Sequence, residues 1–132
     1  MAKMGAVVTR GSNVKQILAN PTLFQAFGAQ IADTGVTAVN GRKVIPAGTP
    51  VGGTIDFLQV EDTPLATTNT AVAAENTQGV LLYDVDVTAG PANGTVLVFG
   101  FVNEFRLDSA LTVAPEAKTA LDGKVTFVKR NA

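Results

Sequence analysis

The chain has 132 residues, enough for one domain with a core of its own; 46% are apolar and only 16% charged. A net charge of −1 gives no electrostatic reason to expect nucleic acid or an anionic membrane as partner. With no Cys and no His, disulfides, thiolate metal sites and the commonest general base are excluded together.

The low share of charge suits a β-rich protein whose surface is partly covered by neighbours. No apolar run approaches the roughly 20 residues of a membrane helix, and the N-terminal stretch MAKMGAVVTRGSN is too weakly apolar for a secretory signal. In chain order, GAVVT (residues 5–9) reads as an edge strand or an arm. Ser12 or Asn13 can cap a short helix over residues 14–19, with Val14, Ile17 and Leu18 at helical spacing. Asn20-Pro21 signals a second short helix in which Leu23, Phe24 and Phe27 share a face and Gly28 stops the turn. That face is expected in the core; the functional alternative is a docking face.

Residues 31–39 and 42–45 flank Asn40-Gly41, a two-residue hairpin signal of type I′. After the break PAGTP, residues 51–58 resume as a strand in which Gly52-Gly53 marks a bulge or a close approach. Residues 61–78 are polar and without period, and read as a long surface loop with a short extended piece at residues 70–74.

The chain is organised around residues 79–107. Leu81, Tyr83, Val85 and Val87 fall on one face of a strand; Val80 and Leu82 begin the other face, and Asp84 and Asp86 end it. TVLVFGFV (residues 95–102) is apolar on both faces, so the two runs predict an antiparallel hairpin inside a core, turned at Gly90-Pro91 and Asn93-Gly94. Pro115 opens a helix to about Leu121, with Ala117, Ala120 and Leu121 inward and Gly123 just past its end. KVTFVK (residues 124–129) closes the chain as a strand.

Little of this is chemistry. Asp84 and Asp86, two apart on a strand, offer a carboxylate pair for acid–base work or for Mg²⁺ or Ca²⁺, with only Asp56, Glu61 and Asp62 as further oxygen donors. The plainer reading is a solvated strand end entering a turn. Ser, Thr and Lys have no His to activate them, and neither GxGxxG nor GxxxxGK[ST] is present. Arg10, Lys15, Arg42 and Lys43, and separately Lys124, Lys129 and Arg130, read as edge protection and solvated faces. No catalytic residue, metal or cofactor is expected, and the chain is read as no enzyme.

Three stretches carry a resemblance: VIPAGTPVG (residues 44–52), GVLLYDVDVTAG (residues 79–90) and GTVLV (residues 94–98). GFVNEFRL (residues 100–107) and the ending, a short Ala-rich helix before GKVTFVK, continue it. Together they resemble the head decoration and head fibre proteins of tailed bacteriophages, the lambda-like capsid decoration proteins among them; Gly79, Leu81, Tyr83, Asp84, Asp86 and Gly90 form the most specific part. The resemblance implies a mainly β domain with a few short helices, compact and barrel-like or β-tulip-like. The resemblance covers roughly residues 44–129; read from the residues themselves, the order is an arm at residues 1–9, short helices at 13–28, a β core at 31–107, and a helix plus strand at 115–129. It further implies a structural virion protein, made in the host bacterium's cytoplasm, that cements the expanded head from outside. The partners implied are the major capsid protein and two further copies, as homotrimers at three-fold or quasi-three-fold sites, with no nucleic acid and no membrane. Lys3, Gly5, Ala6, Val7, Val8 and Thr9 are the candidate arm, adding a strand to a capsid edge. The alternative is a head-fibre anchor or a module that binds host-surface carbohydrate through residues 61–78 and 88–93. The chain shows no fibre-like repetitive tail, which favours decoration.

Overall fold

The computed structural model describes residues 17–60, 62–70, 72–108 and 111–130. Its axis is the 12-residue strand Ala92–Asn103, within which the run apolar on both faces lies. A strand without polar alternation has to be covered on both sides, and this one is. Val96 packs into one buried cluster with Ile31, Val51, Phe57, Leu65, Leu81 and Val85. Leu97 and Val102 pack into a second, with Ile17, Leu18, Val80, Leu121 and Val125.

Numbered in order, the strands are β1 (Gln25–Ile31), β2 (Val44–Ile45), β3 (Pro50–Gly52), β4 (Ala66–Thr67), β5 (Thr77–Leu81), β6 (Val85–Asp86), β7 (Ala92–Asn103) and β8 (Val125–Val128). The main sheet runs β1-β7-β5-β3-β4, all antiparallel, with β8 added parallel to the far half of β7. β2 and β6 form a separate two-stranded ribbon. Among the described residues the α-helix is α1 (Pro115–Ala120), whose buried Ala117 packs with Ala74 and Val113.

Alternation alone sends Val96 and Leu97 to opposite clusters, and β7 also carries an extra residue. Ala26 pairs with Leu97 but Gln25 with Phe99, leaving Val98 unpaired on β7. Such an insertion exchanges the faces of a strand, which is how Leu97 and Val102, odd and even, reach the same cluster.

The mainly β class with few short helices holds, but the barrel does not. The sheets are not closed; β4 is two residues long, and β1 meets that side of the fold only where Ile31 bridges Leu65. Several elements also differ from expectation. Of the first helix, residues 14–16 lie outside the described residues, while Leu18 is extended and bridges Val102. The Asn20-Pro21 signal produces a single turn, in which the Asn20 carboxamide oxygen accepts from the Thr22 amide (3.1 Å) and hydroxyl (2.7 Å). Strand β1 follows instead of a helix, because pairing with β7 outweighs the helical spacing of three side chains. Leu23, Phe24 and Phe27 are consequently exposed rather than buried.

The strand expected at residues 51–58 stops at Gly52. The expected surface loop at residues 61–78 is largely structure: Leu65, Thr68, Ala74 and Thr77 are buried, and a 3-10 turn, Ala73–Asn76, takes over the end of the extended piece expected at residues 70–74. Residues 31–39 leave the sheet after Ile31, yet the Asn40-Gly41 turn forms as read, both residues at positive φ and Val39 exchanging two hydrogen bonds with Arg42. Asn93-Gly94 lies inside β7 and is no turn. A Cβ on Gly94 would come within 2.9 Å of Ile31 and Val85, so close packing fixes that glycine. The hairpin itself is present as β5 against β7, but its first strand breaks at residues 82–84 and resumes as β6.

Candidate interaction surface

The residues singled out by the sequence divide into two groups. Lys3, Gly5, Ala6, Val7, Val8 and Thr9 lie outside the described residues. The other six form the scaffold's joint. Gly79 sits against β7 so closely that a Cβ would fall 2.6 Å from the Leu97 carbonyl oxygen. Leu81 is fully buried, and Tyr83 is exposed on the bend that ends β5. The Asp84 carboxylate accepts from the Ala47 amide at 2.7 Å, tying the bend to the PAGTP segment. Asp86 accepts from the Thr88 amide (2.9 Å) and hydroxyl (2.6 Å) and pairs with Arg42. Gly90 closes the turn with its amide 3.0 Å from the Val87 carbonyl, at a φ of +126° that favours glycine.

The Asp pair therefore has structural employment. Hydrogen bonds from the Thr88 hydroxyl and from Arg42, then the Thr88 amide, hold the Asp86 carboxyl well below its ordinary range. Asp56 accepts from the Leu58 amide. Among the described residues no group of three or more His, Cys, Asp or Glu is arranged to hold a metal ion. No described helix is long and apolar enough to cross a membrane.

Two surfaces offer contacts instead. The first is the loop of residues 53–60, which the sequence reads as strand. Phe57 is its plug, buried in the first core cluster. The Gln78 side chain reaches across from β5 to brace it: Oε1 accepts from the Phe57 amide at 2.9 Å, and Nε2 donates to the Gly53 and Ile55 carbonyls at 2.9 and 2.8 Å. Asp56 adds a turn, its carbonyl accepting from the Gln59 and Val60 amides, both at 3.1 Å. With the backbone fixed and Phe57 inward, Ile55, Leu58 and Val60 are left 52, 49 and 43% exposed. Three large apolar side chains are thus presented to solvent from one braced loop.

The second surface is the outer edge of β1. Phe24 and Phe27 on β1 and its approach, and Phe99 beside Gln25 on β7, are all exposed. Along this edge Gly28, Ala29 and Gln30 line an open groove of about 470 Å³ with Asp62, Asn93 and Gly94.

The loop was missed because Ile55-Asp56-Phe57-Leu58 alternates like a strand; the only local clues were Gly52-Gly53 and an aspartate able to make a turn. Both glycine readings hold at Gly52: the register slips between Val51 and Gly52, and a Cβ there would lie 1.9 Å from the Asn76 carbonyl oxygen. No family model and no curated protein matches the chain.

Proposed function

We propose that this chain is a structural virion protein of the phage head-decoration kind, binding the outer surface of a capsid through its major capsid protein and stabilising the expanded shell. The observation that carries the reading is the loop of residues 53–60. A cement protein requires a surface held rigid before binding, since ordering side chains at an interface costs affinity. Ile55, Leu58 and Val60 stand on a loop already fixed by Gln78 and Phe57. The GVLLYDVDVTAG stretch supports the reading in another way. Its residues, which carry the resemblance, build the bend and turn that join the main sheet to the β2–β6 ribbon. Attachment as trimers at three-fold positions is part of the proposal, through contacts that close into a ring.

Co-sedimentation with purified mature capsids tests it, followed by electron microscopy. Saturable binding with density at three-fold positions is expected, and Leu58→Asp with Ile55→Asp abolishes it while leaving the thermal transition in place, because both side chains are already outside the core. Absence of binding to both mature and immature shells refutes the reading.

A further inference from the structure

The outer edge of β1 is unfinished in a specific way. The Gln30 carbonyl and the Ala32 amide turn outward and are taken by Leu65, at 2.9 and 2.7 Å. Backbone groups of alternate residues point the same way along a strand, so those of Ala26 and Gly28 point outward as well. No described strand lies beside them. Phe24 and Phe27 stand exposed along the same stretch, and Asp62 lines the groove at Gly28–Gln30. An edge whose outward groups find no partner among the described residues, with apolar flanks, is a template for another strand.

Charge and composition say which strand. Residues 1–16 hold Lys3, Arg10 and Lys15 and no acidic residue, while residues 17–132 hold seven basic and eleven acidic residues, a net −4. Within that basic segment lies Val7-Val8-Thr9, a β-branched run suited to a pleated partner.

Reach says whose. The described chain begins at Ile17, whose carbonyl accepts from the Asn103 amide, whereas the open part of β1 lies beside Val96 and Thr95. That is about 24 Å along β7 at ~3.4 Å per residue. From Ile17 back to Arg10 a fully extended chain spans at most about 25 Å. A chain's own segment would reach its β1 only when pulled taut. A neighbour's segment carries no such limit.

We propose that the outer edge of β1 in one copy receives residues 5–10 of a second copy as an added strand, Val7 and Val8 covering Phe24 and Phe27 and Arg10 approaching the acidic groove. Such a head-to-tail contact closes into a ring or runs on as a chain of copies. It gives the arm a role between copies instead of on the shell. Because it concerns the protein by itself, it stands or falls separately from capsid binding.

The chain has no cysteine, which makes the test direct. Full-length copies carrying Val7→Cys, Val8→Cys or Thr9→Cys are each mixed with copies carrying Gly28→Cys under mild oxidation, and the products are separated by mass. The expected result is a disulfide-linked pair of unlike copies at one or two of the three positions. Self-association measured by sedimentation is lost in Gly28→Pro, which removes an outward amide, and weakened in Gly28→Lys, whose Cβ would meet nothing closer than the Gly94 carbonyl at 4.0 Å. A chain carrying both cysteines that closes on itself as a monomer, with no linked pair in the mixtures, overturns the exchange. So does the absence of any disulfide together with Ala26 and Gly28 amides that exchange as fast as unstructured peptide at every concentration.

Discussion

Replacing Gln78 with Met keeps the length and volume of the side chain and removes its three hydrogen bonds to the Phe57 amide and the Gly53 and Ile55 carbonyls. A net hydrogen bond is worth about 1 kcal/mol, so the brace amounts to about 3 kcal/mol before solvent is considered. The bond to Ile55 is exposed and the other two are partly buried, so water replaces some of them. About 2 kcal/mol of loop ordering remains, and at about 1.4 kcal/mol per decade this is roughly a thirtyfold faster opening at Phe57. Amide hydrogen exchange reads it directly. The Phe57 amide, which also loses its own acceptor, is expected to accelerate by at least that factor, while the Leu81 amide, bonded to the Thr49 carbonyl inside the sheet, stays near its original rate. Affinity for capsids falls with it, since the apolar side chains must then be ordered on binding. Unchanged exchange at Phe57 refutes the brace. Equal acceleration at Phe57 and Leu81 refutes it too, because the residue would then support the whole domain and not the loop.

Gly52→Ala drives a methyl into the Asn76 carbonyl, backbone against backbone, and is expected to destabilise by about 3 kcal/mol in denaturant titration. Gly28→Ala, in open space, is expected to stay within about 0.5 kcal/mol of the parent, and equal effects at the two sites contradict the packing described. Because the Asp86 carboxyl is held low in the folded chain, its contribution is present above its unfolded value near about 4 and fades as pH falls below that. Acid titration of Asp86→Asn should therefore show a shallower loss of stability below about pH 4 than the parent, and parallel curves would remove the Asp86 contacts from the account.

Signals contained within a few residues were legible in the sequence. Asn40-Gly41 makes its turn because both residues tolerate positive φ, and Pro115 opens its helix because the missing amide is not needed there. The two-sided apolar run of β7 correctly announced a strand buried on both faces. What failed were features decided from a distance. Leu23, Phe24 and Phe27 have helical spacing, but the β7 backbone that pairs with Gln25–Ile31 lies some 70 residues from Phe27 in the chain, beyond any local pattern. Likewise Ile55 to Leu58 read as strand, because nothing nearby reveals that Gln78, 21 residues on from Phe57, turns the segment into a loop. Polar residues 61–78 looked like solvent-facing loop, yet the Thr68 and Thr77 hydroxyls satisfy each other at 2.6 Å inside the fold. Of the candidate site, the GVLLYDVDVTAG stretch was legible as an important place and not as a contact surface.

Asn103 has a consequence for how the chain assembles. Its backbone amide donates to the Ile17 carbonyl, and its side chain both donates to the Arg130 carbonyl (2.7 Å) and accepts from the Arg130 amide (3.2 Å). One residue thus clasps the first and the last parts of the described fold. The buried members of the cluster around Val96 all fall within residues 29–96, whereas the one around Leu97 needs Ile17 and Leu18 at one end and Leu121 and Val125 at the other. Loop closure over so long a separation is slow relative to local pairing. The first cluster can form while the second waits for both ends to come home, so fraying at either end would loosen one half of the molecule and spare the half that holds the braced loop.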